Sequence, residues 1–434
     1  MGWEGAPNVQ DERGGFGRGG LPPLAPVIVQ KYGGTSVGTA SRIRRVSRRI
    51  ADTVAAGQQV VAVVSAMGHT TDRLISLARQ VTDDPPPREL DMLVANGETI
   101  TAPLVAMCLQ SMGVPAVSLT GPQAGVRTSN HHSRARIREI QPTRIHEALD
   151  GGLVPVVAGF QGATEDLEIT TLGRGGSDTT AVALAAALGA EVCEICTDVD
   201  GIMTADPRVE PNARMLPFIA YEEILEMAAV GARVMHPRAV EIGELYGVAI
   251  HVRSSFHRRP GTMIVSEVPM EDRNRVRSVA HEMGVAKVTV RGVPDRPGVA
   301  AAVFEPLSVA GISVDVIVQN VSSEEHTDLT FTVAEAELRR ALKLVEPAVT
   351  HVEADSVTHS SGLAKVSLVG TGMLNTPGVA ARMFRTLADS NINIEMISTS
   401  EIRITCIVEQ ELAEAAVRAL HAAFDLDQVP AAPA

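Results

Sequence analysis

Thr170–Arg208 reads TTLGRGGSDTTAVALAAALGAEVCEICTDVDGIMTADPR. It opens on a glycine-rich turn, Gly173-Arg174-Gly175-Gly176-Ser177-Asp178, and runs into an alanine-rich segment with helical character. An apolar strand-like run follows, then the acidic turn Thr197-Asp198-Val199-Asp200-Gly201. Loop, helix, strand and loop in that order set a guanidinium and free backbone N–H groups at a helix start, where an anion is favoured. Carboxylates stand near a second site. Such a stretch can hold a small acid beside a nucleotide.

Working towards the N-terminus, Val27–Lys31 is a short apolar run that reads as a buried strand. The glycine loop Tyr32-Gly33-Gly34-Thr35-Ser36-Val37-Gly38 follows it, then a helix over 40–55. A strand feeding a glycine loop at a helix start suits phosphate, and Lys31 adds a movable cation. The Lys precedes the glycines, so this is not a P-loop. A packing loop with a surface Lys fits the same residues. Gln59–Ser65 is a near-continuous β-branched run typical of a central parallel strand. It ends at Ser65-Ala66-Met67-Gly68-His69-Thr70-Thr71-Asp72, which puts the Ser65 and Thr71 hydroxyls at a carboxyl end, where open α/β sheets bind ligands. Thr70, Thr71 and Asp72 also suit a helix cap.

Pro85-Pro86-Pro87 breaks the chain before a long helix over 88–111. Leu90, Leu93, Val94, Leu104 and Met107 recur there at helical spacing and read as core. Pro103 should kink or split that helix. Glu98 is either a solvated face residue, the plainer reading of its position, or a ligand for an ammonium group. Strands at 116–119 and 154–158 flank a polar region whose His131-His132 pair lacks a third metal ligand. Helices over 221–229 and 236–246 and a strand over 249–253 complete an alternation that argues for one three-layer α/β domain over 27–265.

Composition agrees with a soluble globular chain of several domains: 434 residues, 45% hydrophobic and 21% charged. A net charge of −13 argues against broad nucleic-acid binding, which needs basic patches. The cysteines, Cys108, Cys193, Cys196 and Cys406, are too sparse for a disulfide framework, so a reducing cytoplasm is expected. Cys193 and Cys196 stand three apart in a strand and should point to opposite faces, as structural rather than metal-binding thiols. No continuously apolar window of membrane-spanning length is present, so no membrane association is expected. Residues 1–26 are rich in Gly, Pro and charge and read as a disordered extension or a misplaced start.

The C-terminal part repeats itself. VTVRGVPDRPGVAAAVFEPLSVAGISVDVIVQN from Val288 parallels VSLVGTGMLNTPGVAARMFRTLADSNINIEMIS from Val366. Pro297-Gly298-Val299 matches Pro377-Gly378-Val379, and Asp315 matches Glu395. Each copy reads strand, Pro-Gly turn, amphipathic helix, strand. Copies this short should pair their sheets to bury a shared face. A Pro-Gly helix start can receive a small carboxylate, or be a plain turn.

Taken together, KYGGTSVG, SAMGHTTD, PPPRELDMLVANGE, GFQGATEDLEITTLGRGGSDTTAVALAAALGA, TDVDGIMTADPR and HVRSSF resemble the aspartate kinases, with the amino-acid kinase fold, over residues 27–425. The repeat resembles a pair of ACT domains. The resemblance implies a three-layer α/β fold with a mostly parallel central sheet, followed by two ferredoxin-like ACT regulatory domains. The implied organisation is a catalytic domain over 27–265, a linker over 266–284, and ACT domains over 285–350 and 351–434. It implies ATP-dependent phosphorylation of the β-carboxylate of L-aspartate to 4-phospho-L-aspartate, the first step towards lysine, threonine, methionine and isoleucine, with Mg²⁺ bridging phosphate oxygens. A carboxylate is already ionised at neutral pH, so positioning and positive charge, not a base, carry the catalysis.

Residue by residue, the resemblance gives Lys31 the transferring phosphate and Arg174 the α-carboxylate of aspartate. Glu98 and Asp178 take its ammonium. Ser65, Thr71, Gly175, Gly176 and Ser177 complete that pocket. Tyr32, Gly33, Gly34, Thr197, Asp198, Met203, Asp206, Pro207, Arg208 and Arg233 fall to the nucleotide. Feedback by lysine, threonine or both is implied, with Asp295, Gly298, Ala300 and Gln319 facing Val379, Asn393 and Ile394 of a second copy. That arrangement implies a homo-oligomer, and the family includes forms with an internally started small subunit, for which Met270 is a candidate start.

Departures from the family pattern are His69, where an acid is usual, Cys196 in place of Tyr, Arg233 in place of Lys, Pro103 within a helix, and Ala380 beside the inhibitor site. The first three would bear on nucleotide affinity, and the last on inhibitor response. They motivate one alternative, an amino-acid-sensing paralogue with weak or no kinase activity. A kinase for N-acetylglutamate fits less well, because an acetylated amine has no charge to pair with Glu98 and Asp178.

Overall fold

The computed structural model describes residues 26–231, 234–268, 276–319, 326–373 and 376–428. The first half opens with β1 (Val27–Tyr32), α1 (Ala40–Ala55), β2 (Gln59–Val64), α2 (Thr70–Val81), α3 (Pro87–Val94), α4 (Asn96–Ser111) and β3 (Ala116–Leu119). It continues with β4 (Val126–Thr128), β5 (Ile137–Ile140), α5 (Thr143–Asp150), β6 (Val154–Ala158), β7 (Gln161–Ala163) and β8 (Ile169–Thr171). Then come α6 (Gly176–Leu188), β9 (Val192–Thr197), β10 (Phe218–Ala220), α7 (Tyr221–Ala229), α8 (Pro237–Tyr246), β11 (Ile250–Ser254) and β12 (Thr262–Val265).

Eight strands form the central sheet in the order β10-β12-β11-β9-β1-β2-β6-β3, parallel except where β12 meets β11. The strands' two-residue period divides their side chains between two cores. Val29, Val61, Val63 and Cys193 pack on one face with α6 and α8. Tyr32, Val60, Ala62, Val64 and Cys196 pack on the other with α1 and α4. This is the expected three-layer arrangement, and the two cysteines do face opposite ways. α1 shows how locally it is encoded: Ile43, Val46 and Ile50 line its buried face, and the Thr39 hydroxyl accepts from the Arg42 N–H at 3.3 Å to cap it.

Two expectations for the long helix are corrected. The chain breaks at Ala95, between α3 and α4, while Pro103 lies inside α4. Met107 is 55% exposed, and Ala102, Val105, Ala106 and Leu109 form the buried face instead. Pro87–Ser111 is long and apolar enough to cross a membrane by length and composition, but half of its apolar window is buried inside the domain, as in a core helix.

The second half comprises β13 (Ser278–Pro294), α9 (Val299–Val309), β14 (Ile317–Gln319), β15 (His326–Ala334), α10 (Leu338–Val352) and β16 (Ser356–Val369). α11 (Val379–Asp389), β17 (Met396–Thr399), β18 (Arg403–Glu409) and α12 (Ala413–Ala423) follow. The two repeats join edge to edge in one six-stranded sheet, β14-β15-β13-β16-β18-β17. They do not bury a shared face; each packs its own helices on its own part of the sheet. β13 pairs antiparallel with β16 from Ser278 to Arg291, so each strand serves both repeats. β13 begins at Ser278, inside the stretch expected to be linker, and the boundary expected at 350 falls inside α10.

The halves are fastened together. Ala205 and Val209 of the first half belong to the apolar core of the second repeat. Arg403 pairs with Glu226 at 2.8 Å, and the Thr371 N–H donates to Glu223 Oε1 at 3.0 Å.

Candidate functional site

The site lies outside the carboxyl ends of β1, β2 and β6, where ligands gather in open α/β sheets. Lys31 is the penultimate residue of β1, on the α6 face. Ser65 follows β2, Phe160 follows β6, and Arg174, Ser177 and Asp178 come from the turn that starts α6. These residues and Glu98 line one cavity of about 270 Å³. Lys31 is 8% exposed, and its Nζ lies 2.5 Å from Asp178 Oδ1. Arg174 stands exposed at the rim. Two cations and two carboxylates thus converge on a space large enough for a small amino acid.

Two glycines make this geometry possible. Gly175 has φ +71°, and a Cβ there would lie 2.3 Å from His236 Cβ and 2.4 Å from its ring. Gly97 lets α4 lie against the Ala66 turn, since its Cβ would be 2.7 Å from that of Ala66. That approach brings Glu98 Oε1 within 3.0 Å of the Ala66 N–H.

Glu98 is 3% exposed, which overturns the solvated-face reading. Burial pushes its carboxyl up to about 7, against the lowering effect of the Ala66 N–H. Its other oxygen has no hydrogen-bond partner among the described residues. A buried acceptor of this kind is costly unless a cation meets it.

Other expected residues fall elsewhere. Tyr32 is fully buried, and its hydroxyl donates to Gln30 Oε1 at 3.1 Å, so its side chain belongs to the core and not to a nucleotide site. Adjacent strand residues face opposite ways, and Lys31 takes the ligand face. Cys196 pairs with Tyr32 across β9 and β1 in the same core, with its thiol pushed up to about 12 by burial. The side chain of the Cys in place of Tyr therefore faces this core, while its carbonyl is what meets the Gly33 loop. Thr71 starts α2 beside Gly97 and does not line the cavity. His69 is exposed, 3.2 Å from Asp72.

Gly33 and Gly34 are held by backbone bonds: the Gly33 N–H donates to the Cys196 carbonyl at 3.3 Å, and Gly34 O accepts from Gly68 at 3.0 Å. Thr197 ends β9, and its hydroxyl reaches Asp198 at 3.2 Å. Met203, Asp206, Pro207 and Arg208 follow on the loop beyond it, where Arg208 grips Asp206 at 2.7 Å. Arg233 and Met270 lie outside the described residues. In the repeats, Asp295, Gly298, Ala300, Gln319 and Asn393 are exposed, and Val379 and Ile394 are half-buried.

The cavity has a support that the sequence did not reveal. Asp91, 1% exposed on α3, accepts from the Thr171 N–H at 3.1 Å, the Thr171 hydroxyl at 2.5 Å and the Ser133 N–H at 2.9 Å. His132 Nδ1 lies 3.0 Å from it. Asp91 thereby fixes the end of β8 just before the glycine turn. Its partners are 41, 42 and 80 residues away, beyond any local pattern.

Known proteins share this architecture. The amino acid kinase family model matches residues 26–254, and the ACT domain model matches 288–348 and 366–424. An aspartokinase of Thermus thermophilus is 50% identical over 404 residues, 93% of this chain and 99% of that one. E. coli aspartokinase III in complex with aspartate and ADP superposes with a TM-score of 0.75 at 27% identity, covering 92% of this chain and 100% of that one. The same enzyme in complex with lysine and aspartate gives 0.73 at 27%, covering 92% and 99%. The family models, the half-identical relative and the shared fold agree: this chain belongs to the amino acid kinase family, among its aspartokinases with C-terminal ACT domains.

Proposed function

We propose that the chain phosphorylates the β-carboxylate of L-aspartate from ATP, giving 4-phospho-L-aspartate and ADP. The observation that carries this reading is the single cavity that joins Lys31, Glu98, Arg174 and Asp178. Arg174 grips the α-carboxylate, for which a planar guanidinium offers two parallel donors. Glu98 and Asp178 take the ammonium, which meets the partnerless oxygen of Glu98. Ser65 and Ser177 fill the remaining polar positions. The β-carboxylate is thereby aimed at the Lys31 end, where the ammonium group of Lys31 offsets charge on the transferring phosphate. The acceptor needs no base, so orientation and charge supply the rate. The intact charge set favours a working kinase over a sensing paralogue.

The nucleotide lies along the Gly33–Gly34 loop and the segment from Thr197 to Arg208. Mg²⁺ is proposed to enter with it, neutralising phosphate charge. Among the described residues no group of three or more His, Cys, Asp or Glu could hold a metal alone. The cavity's oxygen donors, Asp178 and the serines, suit a hard cation carried on phosphate oxygens.

Lysine is the favoured inhibitor, since E. coli aspartokinase III has been captured with lysine; threonine remains a second candidate, and both would bind at the Gly298 and Val379 turns across a homo-oligomer contact. Translation from Met270 would yield a small regulatory subunit. Free cysteines support a reducing cytoplasm.

The test combines coupled ADP release with hydroxylamine trapping of the acyl phosphate. Aspartate-dependent hydroxamate is expected, and its absence at saturating substrates would refute the reading.

A further inference from the structure

We propose that His421, on the last helix of the second repeat, is a positioning residue for the nucleotide, acting through Thr204. The inference rests on the reading that Thr197–Arg208 borders the nucleotide. Thr204 lies in that segment, two residues before Asp206, and is fully buried. Each of its polar groups is committed. Its N–H donates to the Arg214 carbonyl at 2.8 Å, and its carbonyl accepts from the Val279 N–H of β13 at 2.8 Å. Its hydroxyl meets His421 Nε2 at 2.9 Å and accepts from the Arg214 N–H at 2.9 Å.

That last pair of bonds fixes the chemistry. A hydroxyl has one proton, and the Arg214 N–H already occupies a lone pair. A second lone pair stays open, but His421 Nε2 is the acceptor that the described residues offer to the buried hydroxyl proton, so the fully paired arrangement has Thr204 donating to a neutral imidazole whose own proton is on Nδ1. Burial lowers the His421 pKa and favours that form, partly opposed by Glu210 and Asp427. His421 is 1% exposed, so no water replaces it.

Around this bond the segment has no freedom of its own. Ala205 and Val209 sit in the core of the second repeat with Val417 and Leu420 of α12. Arg418 donates to the Val209 carbonyl at 3.3 Å. Half-buried Asp206 and exposed Pro207 and Arg208 are the crest of a loop whose two feet, Thr204–Ala205 and Val209, stand on α12 and β13. The regulatory half thus supplies the floor beneath the nucleotide's edge, and among the described residues His421 makes its side-chain hydrogen bond to a side chain of the segment.

Full-length chains carrying His421→Phe, His421→Gln, Thr204→Val, Asp206→Ala or Arg208→Ala are compared by hydroxylamine trapping. His421→Phe keeps a flat aromatic ring, somewhat larger, and removes the acceptor. It should raise KM for ATP about tenfold, the loss of one buried hydrogen bond, with KM for aspartate within about twofold of the parent. His421→Gln, whose amide oxygen can accept, should recover most of the loss. Thr204→Val removes the same bond from the other side and serves if the Phe variant does not fold. Unchanged KM for ATP in both His421→Phe and Thr204→Val would overturn the proposal, as would equal rises in both KM values with no rescue by Gln. Asp206→Ala and Arg208→Ala report on the underlying reading: if neither alters ATP kinetics, the segment does not border the nucleotide. A rise there with no effect at His421 removes only the positioning role.

Discussion

At the scale of single residues, Glu98 is where binding and stability pull apart. Its folded pKa of about 7 lies above the ordinary value of 4.5. A raised carboxyl pKa favours the folded state below the unfolded value, and that contribution is lost as pH rises through about 7. Above pH 7 the fold therefore carries a buried anion that the ammonium of aspartate would neutralise. Glu98→Gln should melt higher than the parent at pH 8, by on the order of 1–3 kcal/mol, and match it near pH 4. It should also weaken aspartate binding on the order of 100-fold. In the parent, kcat/KM for aspartate should fall as pH drops below about 7, because protonated Glu98 cannot pair with an ammonium; a flat profile from pH 6 to 8 counts against the role. Arg174 is exposed at the rim. Arg174→Ala should raise KM for aspartate about 100-fold and leave the melting temperature unchanged. Arg174 and Asp178 were legible because a single turn presents both. Glu98 was ambiguous because its burial depends on Gly97 meeting Ala66, a contact across the chain that no helical period encodes.

At the scale of elements, the strands and α1 follow from local pattern, since apolar runs and 3–4 spacing are sufficient for both. What local pattern does not carry is how one element holds another. Asp91 on α3 satisfies the Thr171 N–H and hydroxyl at the end of β8, a distance of 80 residues. In sequence it is one acid on a helix, and solvent is the ordinary expectation. Asp91→Ala would orphan those buried donors and should cost about 2–4 kcal/mol, seen as a lower melting temperature. KM for aspartate should rise with it, because the glycine turn begins two residues after Thr171. Asp91→Asn, which keeps one acceptor, should fall between. A melt unchanged in Asp91→Ala would show that α3 does not anchor the turn. Tyr32 illustrates the converse: read as part of a motif it belongs to the nucleotide, yet the two-residue strand period had already sent it to the face opposite Lys31.

At the scale of the molecule, the repeat reads as two domains in series, and the structure interlocks them. β13 and β16 run through both repeats. Lys287 of the first pairs with Glu395 of the second at 2.7 Å, and Lys365 of the second pairs with Asp315 of the first. Because the offsets between copies match Lys287 to Lys365 and Asp315 to Glu395, these are one contact made twice about a local pseudo-twofold. The repeat alignment held that pairing in plain view, but nothing in it said that the matched residues cross over. The place at which the chain can be divided follows from this. A break before Met270 leaves β13 whole and severs no described strand. A break after residue 350 cuts α10 ahead of Val352, which is 3% exposed in the first repeat's core, and separates β13 from β16. Co-expressed pieces 1–269 and 270–434 should therefore co-purify as an active complex. Pieces 1–350 and 351–434 should be insoluble or fail to associate. The 1–269 piece alone exposes Ala205 and Val209, which the second repeat covers, so it should aggregate or bind ATP more weakly than the complex. Full ATP affinity in the isolated piece would mean that the nucleotide edge stands without its regulatory floor. Equal recovery from both breaks would mean that the shared strands do not bind the repeats into one unit.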